Sequence, residues 1–227
     1  MTGVQTCALP IWNQEHGVWE RPDRFAQEIR SRVVGLWGYG GIGRETARLA
    51  KAFGMTVHVL TRSGVRPRSY WCPEGTGDPE GTLPDRAFTM DQRREFLGGL
   101  DFLILALPHT RESDGIIGKE ELEALPPRAV LLNPSRGPIV QEAALLDALR
   151  AHAIAGAALD THIHNPLPAD HPLWRFPNAI LTPHVSGADK SDLFPARIAA
   201  LFAENVARYQ EGRPLLNELT REEWLGA

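Results

Sequence analysis

The chain of 227 residues is 43% hydrophobic, 7% aromatic and 23% charged, proportions of a globular protein that exclude collagen-like, coiled-coil and disordered readings. Its formal charge of −4, with no long block of one sign, argues against nucleic acid or an anionic membrane as partner and for a small molecule. The longest clean apolar run, residues 102–107, is too short to span a bilayer, and 21 glycines with 18 prolines predict long or numerous loops.

Residues 1–11, MTGVQTCALPI, are uncharged, lack a helical or strand period and make a poor signal peptide. They resemble the translated read-through of a sequencing-library adapter and are set aside from fold reasoning as a non-native scar. Without Cys7, Cys72 stands alone, so no internal disulfide is expected and a reducing cytoplasm is the natural compartment.

From Arg32 the stretch RVVGLWGYGGIGRETARLAKAFGMTVHVLTRSG parses as a buried strand, a glycine turn, an amphipathic helix and a second buried strand. The spacing assigns Ile42, Thr46, Leu49, Ala50 and Phe53 to the packed face of that helix and Arg44, Glu45, Arg48 and Lys51 to solvent, with Gly54 as its terminator. Residues 62–90, rich in Gly and Pro and without periodicity, predict one long loop, of a length that is usually functional or mobile. A short helix over 92–97 follows, then the strand DFLILALP, a helix near 119–125, the strand AVLLNP, an Ala/Leu-rich helix over 141–151, and strands over 154–159 and 179–182. From Asp189 on, the spacing of Ile198, Leu201, Phe202 and Val206 predicts a long helix ending near Gly212. Nearly all-apolar strands separated by helices imply an α/β fold, a Rossmann-type doubly wound parallel sheet.

The run Gly38-Tyr39-Gly40-Gly41-Ile42-Gly43 is a G-x-G-x-x-G between strand and helix. Gly38 permits the tight turn, Gly40 lets a diphosphate approach the backbone, and Gly43 lets helix and strand pack closely, so the turn is read as a dinucleotide site. The second strand ends on Thr61-Arg62-Ser63, where an NAD enzyme places a carboxylate. No carboxylate is available, and Arg62, helped by Arg66 or Arg68, is expected to pair with the 2′-phosphate of NADP, which favours NADP over NAD.

The segments LWGYGGIGRETARLAKAFGM, LDFLILALPHT, NPSRGPIVQEAALLDAL, AGAALDTH and NAILTPHVSG, in this order, resemble the D-isomer-specific 2-hydroxyacid dehydrogenases, and the tail ENVARYQEGRPLLNEL resembles that family's C-terminal helix. The resemblance implies an NAD(P)-dependent oxidoreductase, akin to hydroxypyruvate or glyoxylate reductases, that interconverts a D-2-hydroxy acid and a 2-oxo acid and assembles as a homodimer. It implies that residues 12–187 form the cofactor domain and that 188–227 return to a flavodoxin-like substrate domain that is otherwise missing, so that the chain binds dinucleotide but turns over little by itself. It implies further that Arg136 holds the substrate carboxylate and carbonyl oxygen, that His184 is the general acid/base, that Asp160 lies near the nicotinamide carboxamide, and that Leu107, Pro108, Ser135 and Gly187 contact the cofactor.

One position departs from the family pattern: Asn165 stands where a glutamate usually pairs with the histidine. Asn165 supplies no charge to favour the imidazolium, though its amide oxygen can accept an N–H from His184. His162, His164 and His171 crowd the same region and are read as cleft or surface residues rather than a zinc set, since no Cys or carboxylate completes a tetrahedron at short spacing. Two other readings remain open: a dinucleotide-sensing corepressor-like binding protein, and a formate or phosphonate dehydrogenase.

Overall fold

The computed structural model describes residues 14, 16–19, 28–68, 70–187 and 193–218. The 1–11 segment, Trp12 and the end of the tail from 219 lie outside the described residues. In chain order the elements are β1 (Val33–Trp37), α1 (Gly41–Ala52), β2 (Thr56–Leu60), β3 (Arg86–Phe88), a 3-10 turn (Met90–Gln92), α2 (Arg93–Gly98), β4 (Phe102–Leu105), α3 (Lys119–Ala124) and β5 (Val130–Asn133). A 3-10 turn (Gly137–Ile139), α4 (Glu142–Arg150), β6 (Gly156–Leu159), a third 3-10 turn (Pro172–Arg175), β7 (Ala179–Leu181) and α5 (Leu193–Gln210) complete them.

The seven strands pair in the order β3-β2-β1-β4-β5-β6-β7, all parallel. Strand alternation explains both cores. On β1, Val34 and Leu36 point to one face and pack with Val57, Val59, Ala47 and Ala50 beneath α1, while Trp37 points to the other and joins Leu60, Phe96, Leu103 and Leu105. Gly35 belongs to that second face: a Cβ there would lie 2.3 Å from Leu100 Cδ1, so the leucine fills the space a side chain would need. The chain order reverses between β1 and β4, which makes their carboxyl ends the switch point where open α/β sheets bind ligands.

Three expectations are corrected. The stretch 62–90 is not structureless, because Arg86–Phe88 pairs with β2 as an edge strand; three residues flanked by polar sequence carry too short a pattern to announce a strand. The packed face of α1 is formed by Gly43, Arg44, Ala47 and Ala50, whereas Ile42 (56% exposed) and Phe53 (58%) project outward with Leu49. The apolar positions misled because the helix packs its small residues on the sheet and a charged one beneath the neighbouring loop. Several boundaries also move inward by one or two residues, as helix and strand ends commonly do.

Arg44, only 6% exposed, is the charged one. Its Nε donates to Tyr39 O at 3.1 Å, Nη1 to Asp78 O, and Nη2 to Arg66 O at 2.5 Å, and its guanidinium lies 4.8 Å from the Tyr39 ring centroid. Tyr39 Oη in turn donates to Asp78 Oδ2 at 2.6 Å, while the Asp78 carboxylate also accepts from Thr82 N and Leu83 N. Burial and the Asp78 bond push the Tyr39 hydroxyl well above its ordinary value, so it stays a donor at all physiological pH. Gly77 N donates to Glu45 Oε2. The 62–85 loop is thus fastened to the first turns of α1 by buried polar contacts.

Arg44→Met would leave three carbonyl groups without their donor while keeping much of the volume. The expected loss is on the order of 3 kcal/mol of unfolding free energy, against little change for Arg48→Met, which breaks a solvent-screened pair with Glu45 one turn away; urea unfolding of both variants checks the contrast.

Candidate active site

The glycines of the first turn serve three separate purposes. Gly38 has φ +102°, and a Cβ on it would lie 2.4 Å from Ala106 O at the end of β4. A Cβ on Gly43 would lie 2.4 Å from Gly38 O, which only a glycine permits where α1 leaves the strand so closely. Around Gly40 nothing comes nearer to a built Cβ than Tyr70 Oη at 4.0 Å. Gly40 is also the N-cap of α1, with no side-chain cap bond there, and it opens on the cleft. This is the arrangement a diphosphate requires, with room above the backbone and the positive end of a helix behind it.

The space is a cleft of about 630 Å³ bounded by Gly38, Gly40, Thr61, Arg62, Leu107 and Pro108, among others. Tyr39 and Gly41 complete the turn, Tyr39 directed inward to Asp78 and Ile42 outward to solvent. Arg62 and Ser63 follow β2 at the cleft rim. Arg62, 73% exposed, is ion-paired there with Glu112 from the loop after β4. Arg66 also lines the cleft, its carbonyl held by Arg44. Cys72 is a free cysteine in the same loop.

The other predicted residues stand at the carboxyl ends of β5, β6 and β7. Ser135 is buried, and its hydroxyl donates to Leu105 O at 2.5 Å, tying the β5 end to the β4 end. Arg136 is exposed, with Nη1 donating to Ser135 O at 2.7 Å. Asn133, 1% exposed, braces this turn: its Nδ2 donates to Arg136 O at 2.9 Å and its Oδ1 accepts from Ser135 N at 3.1 Å. Sequence reasoning missed this role, although an Asn at a strand end followed by Pro and Ser is a turn signal. Gly137 seats the loop, since a Cβ on it would lie 2.1 Å from the carbonyl carbon of His162.

Asp160 is committed to its neighbours. Oδ1 accepts from Thr182 Oγ1 at 2.5 Å and Val185 N at 2.8 Å, and Oδ2 from Ser186 Oγ at 2.6 Å and Ser186 N at 3.0 Å. Burial opposes ionisation, but the Ser186 and Thr182 hydroxyls and the two amides outweigh it and hold the carboxyl far below the usual range. His184 N donates to Asp160 O at 2.9 Å. His184 itself adopts φ +57° and is exposed, an unusual backbone state for a non-glycine residue that the Asp160 bonds on either side hold in place. Gly187 is exposed just beyond, with nothing within 4 Å of a Cβ built on it.

The expected pairing is not present: Asn165 is exposed, and among the described residues no hydrogen bond joins it to His184. The histidines nearby serve separate contacts. His162 Nε2 meets Thr182 O at 3.0 Å, while His171 Nε2 lies 3.1 Å from Glu142 Oε1 and its Nδ1 accepts from Leu173 N. The His164 and His171 rings sit 6.3 Å apart.

The family model for the D-isomer specific 2-hydroxyacid dehydrogenase, NAD binding domain, matches residues 9–186. The chain belongs to that family. It is 34% identical over 211 residues to a glyoxylate reductase of Aeropyrum pernix, covering 93% of this chain and 58% of that protein, so it spans less than two thirds of the relative's length. A crystal structure of a family protein from Aeromonas salmonicida superposes with a TM-score of 0.76 at 31% identity, over 95% of this chain and 63% of that one. A second, the D-isomer specific 2-hydroxyacid dehydrogenase of Xanthobacter autotrophicus Py2 in complex with NADPH and MES, gives 0.73 at 30% identity, over 97% and 86%. The NAD-binding domain of this dehydrogenase family accounts for the glycine turn, the parallel sheet and the cleft. No helix among the described residues is long and apolar enough to cross a membrane.

Replacing Asp160 by Asn removes the charge that four donors share. The variant is expected to be less stable at pH 7 by about 1–3 kcal/mol. Because the folded carboxyl is depressed, its contribution is complete above the unfolded value near ~3.9 and is lost as pH falls below it; the gap between parent and variant in urea unfolding therefore narrows on acidification from pH 7 to about pH 3.

Proposed function

We propose that this chain is the cofactor-binding part of an oxidoreductase that interconverts a D-2-hydroxy acid and a 2-oxo acid such as glyoxylate, with NADPH preferred over NADH. The observation that carries the reading is spatial: Arg136, Asp160 and His184 stand at the carboxyl ends of three adjacent strands in the same sheet whose β1, β2 and β4 ends bound the dinucleotide cleft. A bound nicotinamide would supply hydride chemistry at this edge. Arg136 offers an exposed planar fork suited to a carboxylate and the neighbouring carbonyl oxygen. His184 holds the proton that the carbonyl oxygen takes on reduction, or receives it on oxidation. Asp160 positions His184 by organising the turn around it, rather than by touching its ring.

The preference for NADPH rests on Thr61-Arg62-Ser63, a segment that presents a guanidinium and a hydroxyl at the cleft rim and itself carries no carboxylate, the nearby Glu112 being paired with Arg62. The solved Xanthobacter relative was crystallised with NADPH. The reading extends to a homodimer, for which the outward stripe Ile42, Leu49 and Phe53 of α1 offers an apolar surface, and to a reducing compartment such as the cytoplasm, which suits the free Cys72.

Two measurements test it. In titrations of this chain, NADPH should bind about tenfold more tightly than NADH, equivalent to about 1.4 kcal/mol, and Arg62→Ala should bring the two affinities together; equal affinities in the parent would remove the phosphate argument. In a chain carrying the substrate domain that the family implies, His184→Ala and Arg136→Ala should each lower kcat/KM for glyoxylate by at least about 100-fold with NADPH affinity unchanged. Unchanged turnover in either variant sinks the assigned role.

A further inference from the structure

The sequence offers Arg68 of the 62–85 loop as a helper of Arg62 at the 2′-phosphate, but the structure points it elsewhere. Its stem is immobilised: Arg68 N donates to Pro79 O at 2.6 Å, and Arg44 grips the loop at Arg66 O and Asp78 O on either side. From that stem the guanidinium reaches back over the glycine turn. Its Nη2 lies 3.4 Å from a Cβ built on Gly41, the first residue of α1, and its Nη1 the same distance from one built on Gly77. The guanidinium is stacked 4.1 Å from the Tyr70 ring centroid, and the Tyr70 hydroxyl is what a Cβ on Gly40 would first meet, at 4.0 Å. Among the described residues, Arg68 Nε is buried without a hydrogen-bond partner. Arg68 and Tyr70 line the same cleft as Gly38 and Gly40.

A guanidinium braced against an aromatic ring and set beside the positive end of a helix, with one buried N–H still open, is a site that an anion would complete. Two positive features are brought to one place, and the carboxylates that fasten the loop to α1 are engaged elsewhere, Glu45 with Arg48 and Gly77, and Asp78 with Tyr39, Thr82 and Leu83. We propose that Arg68 is a cofactor ligand that binds the diphosphate joining the two nucleotides, side by side with the Gly40–Gly41 backbone at the start of α1 and with Tyr70 bracing the guanidinium. This role rests on the dinucleotide reading above and separates the two arginines. Arg62 reads the ribose phosphate that distinguishes NADPH, and Arg68 reads the part that NADPH and NADH share.

The test is a set of fluorescence or calorimetric titrations of the parent chain, Arg68→Ala and Arg62→Ala with NADPH, NADH, ADP-ribose and adenosine 2′-monophosphate. Arg68→Ala should weaken NADPH, NADH and ADP-ribose by the same factor, about tenfold for one lost charge-assisted contact, leave the NADPH-to-NADH ratio at its parent value, and leave adenosine 2′-monophosphate unchanged. Arg62→Ala should do the reverse, changing the ratio and the monophosphate. If Arg68→Ala melts below the parent, Arg68→Gln is used, since it keeps the side-chain length near the ring while losing the charge. Loss confined to NADPH and the 2′-monophosphate, or no loss with any ligand, overturns the proposal while leaving dinucleotide binding standing. A parent chain that binds no dinucleotide overturns the underlying reading and this one with it.

Discussion

The glycine turn between β1 and α1 tolerates no side chain at two of its positions, and the rest of the cleft is placed by that constraint. A Cβ at Gly38 would strike the carbonyl of Ala106 just beyond β4, and one at Gly43 would strike Gly38 itself. Helix α1 therefore leaves the sheet at very close approach, and the glycine turn with the first turn of α1 presents Tyr39 and Arg44 to the chain that follows β2. Those two side chains order a long Gly- and Pro-rich segment that has little core of its own, through a tyrosine hydroxyl on a carboxylate and a buried guanidinium spread over three carbonyl groups. The cost of burying the charge is offset by charge-assisted bonds from each of its nitrogens.

A second unit is built at the other half of the sheet on the same pattern. One carboxylate, Asp160, gathers four donors from the Thr182–Ser186 turn, and one amide, Asn133, holds both ends of the Ser135–Arg136 turn. The two turns are joined through Gly137 on His162 and through His162 on Thr182. Arg136 and His184 are exposed, yet the backbones that carry them belong to one bonded assembly at the ends of β5, β6 and β7.

Much of this could be read from the residues. The β-α-β pattern, the parallel sheet, the glycine turn and the strand-end positions of Ser135, Arg136, Asp160 and His184 follow from apolar period and from glycine spacing, both local signals. What escaped was set by distant partners. Arg44 looked like a solvent residue because nothing within its own helix reveals that Arg66 and Asp78 carbonyl groups wait above it. Ile42, Leu49 and Phe53 looked like core because their spacing is helical, although the sheet takes the smaller Ala47 and Ala50 instead. Strand β3 is three residues long and owes its existence to pairing with β2, and the placing of Asn165 away from a bond with His184 depends on the path of a loop whose sequence carries no period.

On the proposed reading of Arg62, its ion pair with Glu112 gives cofactor choice a different character from a vacant charged socket. A phosphate arriving at the β2 end would meet a guanidinium that already has a counterion, so association there would be an anion exchange in which one carboxylate is released for each phosphate taken up. Selectivity then measures the difference between two contacts to the same arginine, one intramolecular and always at hand, the other supplied from solution. Such an exchange leaves Arg62 neutralised in both states and bridges the loops after β2 and β4 only in the empty one.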